Sequence, residues 1–319
     1  MLDESILQRK SVINEVTGQL EIPNGNNPFQ NAWLTLTLGY DLLFLDSRVH
    51  GTVTGDRFSG NIIVRHKDLG WCARDSDDFL FPILDWGYDS IMKFHKLFRQ
   101  GEQIWNHKFL LQPPDKFDKL DFTSPTYPGY VLRPNILCLF RMESGVKHSR
   151  TFNVVRINPE VFEDPTYRVP NYTTKETRPA KSGFRSHEWL LKDSDVFTPV
   201  LGHELGHALN EQHILALEGD AQCKVDPNLS RCYGLTPEEV RNIMGAGTEI
   251  TRLNAGPWIE HLKTIFHEDP VDCAIVMLTD PKVQPLPPRK ISIAPANKTT
   301  LGLPRSAARR PQPVGVGRR

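Results

Sequence analysis

The chain has 319 residues, 39% of them hydrophobic and 24% charged, and its 38 basic and 38 acidic side chains balance to zero. This composition suits a globular protein with enough length for a sizeable core, and no apolar run reaches the roughly 18 residues of a bilayer-crossing helix. The charge is uneven: residues 281–319 hold nine Lys or Arg and no acid, which leaves 29 basic against 38 acidic side chains before them.

The opening MLDESILQRKSVINEV places acids before bases and lacks an apolar segment, so it does not read as a secretory signal. The expectation is a cytoplasmic protein, or one exported by a signal-independent route. Five cysteines (Cys72, Cys138, Cys223, Cys232, Cys273) make an odd count without framework spacing, which suits a reducing compartment. Cys223 and Cys232 are nevertheless close enough in sequence to bridge a loop. Cys72 reads as a partly buried free thiol, with a metal-blocking role as the alternative.

Residues 1–30 are polar and end in Pro23-Asn24-Gly25-Asn26-Asn27-Pro28, so they read as an N-terminal extension closed by a loop. Residues 33–46 predict one or two strands, 49–56 a strand and turn, and 61–65 another strand. A helix is expected over 89–107, where Ile91, Phe94, Leu97, Phe98, Ile104 and Trp105 recur at helical spacing. Pro113-Pro114 ends anything helical, and a loop-rich stretch follows. Residues 135–142 and 151–157 predict two strands, paired as a hairpin across the polar turn 143–149. Residues 158–186 read as a long surface loop and 187–191 as a short strand. A further helix starts between Asp195 and Pro199, with Thr198-Pro199 as one cap. Residues 257–267 form an amphipathic helix and 275–278 a last strand. From Pro281 onward eight prolines and small residues predict a disordered basic tail. Its charge suits an anionic partner, and QPLPPRK at 284–290 has the form of a polyproline ligand. The tail carries no interleaved aromatics, so specific nucleic-acid binding has no support.

Residues 203–213 read HELGHALNEQH. A helix turns 100° per residue. His203 and His207 therefore lie about 40° apart around the axis and one turn apart along it, facing one point. Glu204 points about 100° away from His203, badly placed as a ligand and well placed to reach a water on a shared metal. On a continuous helix His213 would sit roughly 15 Å along the axis from His203, too far to share an ion. The helix must end between His207 and His213, and Asn210 is suited to the left-handed position that ends it. Three histidines with a fourth position open to water are a catalytic zinc pattern; the water's pKa falls to about 7 and Glu204 serves as general base.

This string resembles the metzincin clan of zinc metallopeptidases, whose pattern is HExxHxxGxxH followed by a methionine-containing turn. The resemblance covers roughly residues 195–268. It implies Zn2+ held by His203, His207 and His213, Glu204 as general base, and Met244 in Asn242-Ile243-Met244-Gly245 as a hydrophobic floor beneath the metal. Asn210 stands where the clan has glycine. No tyrosine follows Met244 directly, which leaves Tyr233 as the substitute for an oxyanion-stabilising group. The implied fold is α+β: a twisted mixed β-sheet with two long helices in an upper subdomain reaching to about 213, and a small, mostly irregular or helical lower subdomain over 214–280. The whole catalytic domain would span 31–280. A polypeptide substrate would pair with an edge strand of the upper sheet, with the strand left open.

Glu218, Glu238 and Glu239 are rival third ligands. Thr236-Pro237-Glu238-Glu239 reads more simply as a capped helix start. The function expected is zinc-dependent endopeptidase activity. The alternatives are a non-catalytic zinc-binding scaffold and a zinc amidase acting on a non-protein amide.

Overall fold

The computed structural model describes residues 8–22, 31–54, 59–123, 130–186, 189–197, 199–227, 229–267, 272–278 and 289–292. The loop expected at 23–28, the Thr198 cap and most of the proline-rich tail lie outside them.

The central element is a 14-residue strand, β3 (Ala32–Leu45). It alternates: Leu34, Leu36 and Leu38 are fully buried, and Thr35 and Thr37 between them face the other side. Its two edges are occupied differently. On one, β1 (Gln8–Ile13) and β2 (Val16–Glu21) form an antiparallel hairpin whose second strand pairs with β3. The turn uses Asn14 and Glu15, both at positive φ (45° and 66°), as two-residue hairpins require. Residues 8–21 are therefore sheet strands, not a polar extension. Ser11, Gly18 and Val16 turn inward among polar neighbours, and so short an alternation escapes a reading by composition.

Two strands run parallel to β3, the first on its other edge and the second beyond the hairpin turn, where Arg150 bonds Asn14 and Glu15. Ile136–Ser144 pairs with it from Ala32 to Tyr40, and Arg150–Val155 from Tyr40 to Leu45. The expected hairpin between them is not formed. Ile136, Cys138, Phe140 and Met142 are buried, and Phe152 and Val154 continue the same apolar surface beyond the interruption. Both segments therefore take β3 as partner instead of each other. The residues between them cross over β3 at Gly39, where a β-carbon would overlap the His148 carbonyl. The sheet continues from Ile136–Ser144 through Phe109–Gln112 to Ala274–Met277, and from Arg150–Val155 to Leu190–Lys192. Parallel and antiparallel pairs together make it mixed, and the helices make the protein α+β.

The buried face of this sheet carries the main core. The helix expected over 89–107 divides at Gly101 into α1 (Tyr88–Gln100) and α2 (Glu102–Trp105). Gly101 has no side chain because Leu201 and Leu205 of the helix bearing the histidines press against it. Phe94, Phe98, Trp105, Leu201, Leu205, Met244, Trp258 and Leu262 join the sheet residues in one cluster. Two indole N–H groups tie the layers: Trp105 donates to the Gly202 carbonyl (2.9 Å) and Trp258 to the Leu139 carbonyl (3.0 Å).

Residues 158–186 are not a surface loop. Val161, Val169, Ala180 and Phe184 are buried in a second core with Ile63, Ala73 and Phe81 of a three-stranded sheet, Ile63–His66, Gly70–Arg74 and Leu80–Pro82. The fully buried Asp75 anchors them, receiving the Arg178 guanidinium and the backbone N–H groups of Asp77 and Phe79. In sequence the apolar residues are too thinly spread among prolines to show a period. The tail expectation also changes at Arg289–Ser292, which pairs antiparallel with Tyr130–Arg133. Lys290-Ile291-Ser292 contains no proline, so its backbone is free to form a ladder. Among the described residues no helix is long and apolar enough to cross a membrane.

The hairpin meets the helix Gly256–Phe266 at His261. The ring is buried over the paired residues Ser11 and Gly18, with Nδ1 2.7 Å from Ser11 Oγ, and a β-carbon on Gly18 would overlap it. Burial pushes the His261 pKa down to about 4. The unfolded chain takes up this proton near pH 6.5. The stability involved is therefore complete above about pH 6.5 and lost as pH falls toward 4, a span of about 3 kcal/mol. His261→Gln should flatten the dependence of Tm on pH across that window relative to wild type. Parallel Tm profiles for the two proteins would show that His261 is not the group responsible.

Candidate metal centre

The histidine-bearing helix is Pro199–Ala208, preceded by a 3-10 turn at Asp195–Phe197. Its faces divide the work. Gly202 and Gly206, one turn apart, lie against the core: a β-carbon on Gly202 would crowd Ile243 and Ile104, and one on Gly206 would overlap the Met244 sulfur. The next position around the helix presents His203 and His207, and the one after that Glu204. The glycines let Met244 and Trp105 approach the helix backbone directly beneath the histidines.

The helix ends where the motif requires. Asn210 has φ of 72°, its N–H donates to the His207 carbonyl (2.9 Å), and the Glu211 N–H reaches back to Gly206 (2.9 Å). This is the paired 5→2 and 6→1 bonding of a Schellman end, with asparagine at the left-handed position. The asparagine side chain is also used: its Oδ1 accepts from Asn14 Nδ2 of the β1–β2 turn (2.9 Å). Glycine could not make that link.

Leaving the helix brings His213 back. The Nε2 atoms of His203, His207 and His213 lie 3.1–3.2 Å from one another. Each Nδ1 faces a backbone carbonyl: His203 that of Ile243 (2.8 Å), His207 that of Glu211 (2.9 Å) and His213 that of Pro227 (2.6 Å). A ring nitrogen facing a carbonyl oxygen must carry the hydrogen, so each Nε2 is the bare acceptor. Burial, together with the neighbouring imidazoles at His203 and His213, pushes all three pKa values down to about 4, and the rings are neutral at pH 7. Three lone pairs therefore converge with no proton among them, an arrangement that repels itself and that a cation relieves. Nitrogen donors at the zinc–imidazole distance of about 2.0–2.1 Å in a near-tetrahedral site stand roughly 3.3 Å apart, close to the spacing here. These three histidines are the metal-capable group among the described residues.

Met244 is fully buried, and its turn holds the centre from below. The Ile243 carbonyl takes His203, and the Met244 carbonyl accepts the Ile214 N–H (3.0 Å), which fixes the residue after His213. Asn242 shapes the turn: its Oδ1 accepts from the Met244 N–H (2.7 Å), and its Nδ2 donates to Thr251 and Asn254.

Glu204 stands beside the triad. Burial, with the charge of Asp195, raises its pKa to about 7. Asp195 is itself buried, accepting from the Lys192 N–H (2.8 Å) and pairing with Lys192 Nζ (3.4 Å). Tyr233 closes the opposite side. Its ring centroid is 4.1 Å from that of His213 and 5.7 Å from that of His203, and burial, with Glu204 as the second cause, raises its phenol pKa. The phenol thus lies within electrostatic reach of Glu204.

The rival carboxylates are elsewhere. Glu239 closes a capping box with Thr236, Glu238 is exposed beside Arg241, and Glu218 is exposed. Cys72 is buried in Gly70–Arg74, away from the triad, and burial pushes its thiol up to about 12. Cys223 and Cys232 are joined in a disulfide. Sequence reasoning missed Asp195, Asn242, Pro227 and Glu211. Neither oxygen of the buried Glu211 carboxyl meets a hydrogen-bond partner, and burial raises its pKa to about 8. Gly256 leaves the room it occupies. A glutamate inside a motif shows no sign of burial in sequence, and a carbonyl shows no sign of itself at all.

Compared with protein-family models, curated proteins and solved structures, the chain matches none.

The left-handed Asn210 separates two substitutions. Asn210→Gly keeps the conformation and loses only an exposed side-chain bond. Asn210→Val forces a β-branched residue into it, at a cost of about 1–2 kcal/mol. Denaturant unfolding without added metal should rank Val below Gly by that amount. Equal stabilities would mean that the turn does not depend on this backbone state.

Proposed function

We propose that this chain is a zinc-dependent endopeptidase of the metzincin type. The observation that carries the reading is the convergence of three unprotonated Nε2 atoms, 3.1–3.2 Å apart, beside Glu204. A structural zinc site would add a fourth protein ligand and has no use for an adjacent carboxylate. Further support comes from the order of elements: a mixed sheet and α1 precede the motif helix, and short helical pieces with the Met244 turn follow His213.

His203, His207 and His213 hold the ion, each oriented by its carbonyl partner. Zinc, when bound, supplies a Lewis acid that polarises a carbonyl oxygen and acidifies water. Glu204 takes a proton from the water that attacks the scissile carbonyl carbon. It then delivers that proton to the departing amide nitrogen. Its partly buried carboxylate, with Asp195 behind it, is more basic than an exposed one. The Tyr233 phenol, its ring against His213, donates a hydrogen bond to the oxygen that becomes negative as the carbonyl is attacked.

Glu204→Ala tests the assignment. The variant should bind one zinc and cleave casein or a peptide library at least about 100-fold more slowly, and a chelator should abolish wild-type cleavage. Undiminished cleavage by the variant overturns the mechanism. A wild type that binds zinc and hydrolyses no peptide is a zinc-binding scaffold, or an amidase if a non-protein amide is cleaved instead. Tyr233→Phe should lower kcat with KM and zinc stoichiometry unchanged, and an unaltered kcat removes the phenol from the reaction.

A further inference from the structure

The segment after His213 has a small core of its own. Leu215, Ala216, Cys223 and Cys232 form a buried cluster separate from the two larger cores, and the Cys223–Cys232 disulfide is part of it. The two groups that this segment contributes to the centre lie in or next to the loop that bond closes. Pro227, inside the disulfide loop, offers the carbonyl that orients His213. Tyr233 directly follows Cys232 and lays its ring on His213.

Apart from the Ile214 N–H bond to the Met244 carbonyl (3.0 Å) at its start, the other supports of the segment are local. The Asp220 carboxylate accepts from the N–H groups of Gln222 and Cys223, and Arg231 spans to Asp220 (2.8 Å) and Gln222 (2.9 Å) near the surface. The carbonyls that orient His203 and His207 are held differently. Ile243 belongs to the main core, and Glu211 belongs to the helix-ending turn. Only the third ligand depends on a loop closed by a covalent bond.

We propose that the Cys223–Cys232 disulfide is a positioning element of the third metal ligand, so that its reduction weakens metal binding while the rest of the fold stands. The inference rests on the zinc reading of the triad. A dithiol reductant supplies the chemistry. One thiolate attacks a cystine sulfur, and the second displaces it from the mixed disulfide. Two electrons and two protons pass to Cys223 and Cys232, and the reductant leaves as its own disulfide. Both sulfurs are buried, so reduction requires the loop to open, and the separate cluster keeps that opening local. Once open, the loop no longer holds the Pro227 carbonyl on His213 Nδ1. Loss of such an outer partner lowers metal affinity about 10–100-fold. The centre would then load with metal in oxidising surroundings and shed it in reducing ones.

Zinc affinity is to be measured by competition with a chromogenic chelator on three forms of the full chain. These are the oxidised protein, the protein reduced with a phosphine (thiols bind zinc themselves), and Cys223→Ala/Cys232→Ala. Thiol titration confirms that the phosphine has opened the bond, and circular dichroism confirms that the sheet and helices persist. The dissociation constant is expected to rise about 10–100-fold in the reduced and double-alanine forms. Equal constants in oxidised and reduced protein, with the bond shown to be open, overturn the proposal. If the double variant fails to fold, the reduced wild type decides alone. Absence of zinc binding by the oxidised protein overturns the zinc reading itself, an outcome distinct from equal affinities.

Discussion

Three backbone carbonyls hold this centre. Ile243, Glu211 and Pro227 each take the Nδ1–H of one histidine, and that choice of hydrogen leaves the three Nε2 lone pairs facing one another. Without those bonds each imidazole could rotate or change tautomer, and burial would leave three neutral rings with no common direction. With them, the three lone pairs converge at 3.1–3.2 Å, an arrangement that could hold a shared cation.

The three carbonyls come from parts of the chain with different security. Glu211 is supplied locally, by the turn that ends the motif helix. Ile243 comes from a turn locked into the main core, where Asn242 satisfies its own turn and the buried Asn254, and where Met244 fills the space left by Gly206. Pro227 comes from a peripheral loop whose small core includes a disulfide. The three carbonyls thus rest on different supports: a local turn, the main core and a peripheral loop. His213 is also the histidine that the helix itself cannot deliver.

Much of the local structure was legible. The helical periods at 89–107 and 257–267 correspond to α1–α2 and Gly256–Phe266 because each apolar stripe faces a single core. The capping box at Thr236 was legible because its two partners are three residues apart. What failed was partner choice. Residues 135–142 and 151–157 are strands, yet they pair with β3 rather than with each other, since both continue one buried face. Residues 8–21 looked polar because what the hairpin buries against His261 is a serine and a glycine, Ser11 and Gly18. Residues 158–186 hid a second core among prolines, where charge pairing around Asp75 does the organising.

The sequence by itself determined the orientation of His203, His207 and Glu204, because helical geometry relates residues one and four apart without reference to anything else. It also determined that the helix must stop near Asn210, since a left-handed residue is needed there and asparagine tolerates that state. Tertiary structure decided how His213 reaches the other two rings, which three carbonyls select the tautomers, and that the hairpin at Asn14 and a disulfide loop brace the result. Those contacts range from four residues apart (His207 with Glu211) to 196 (Asn14 with Asn210). Their energies come from burial and backbone hydrogen bonding in the folded chain, and no spacing in the sequence encodes them.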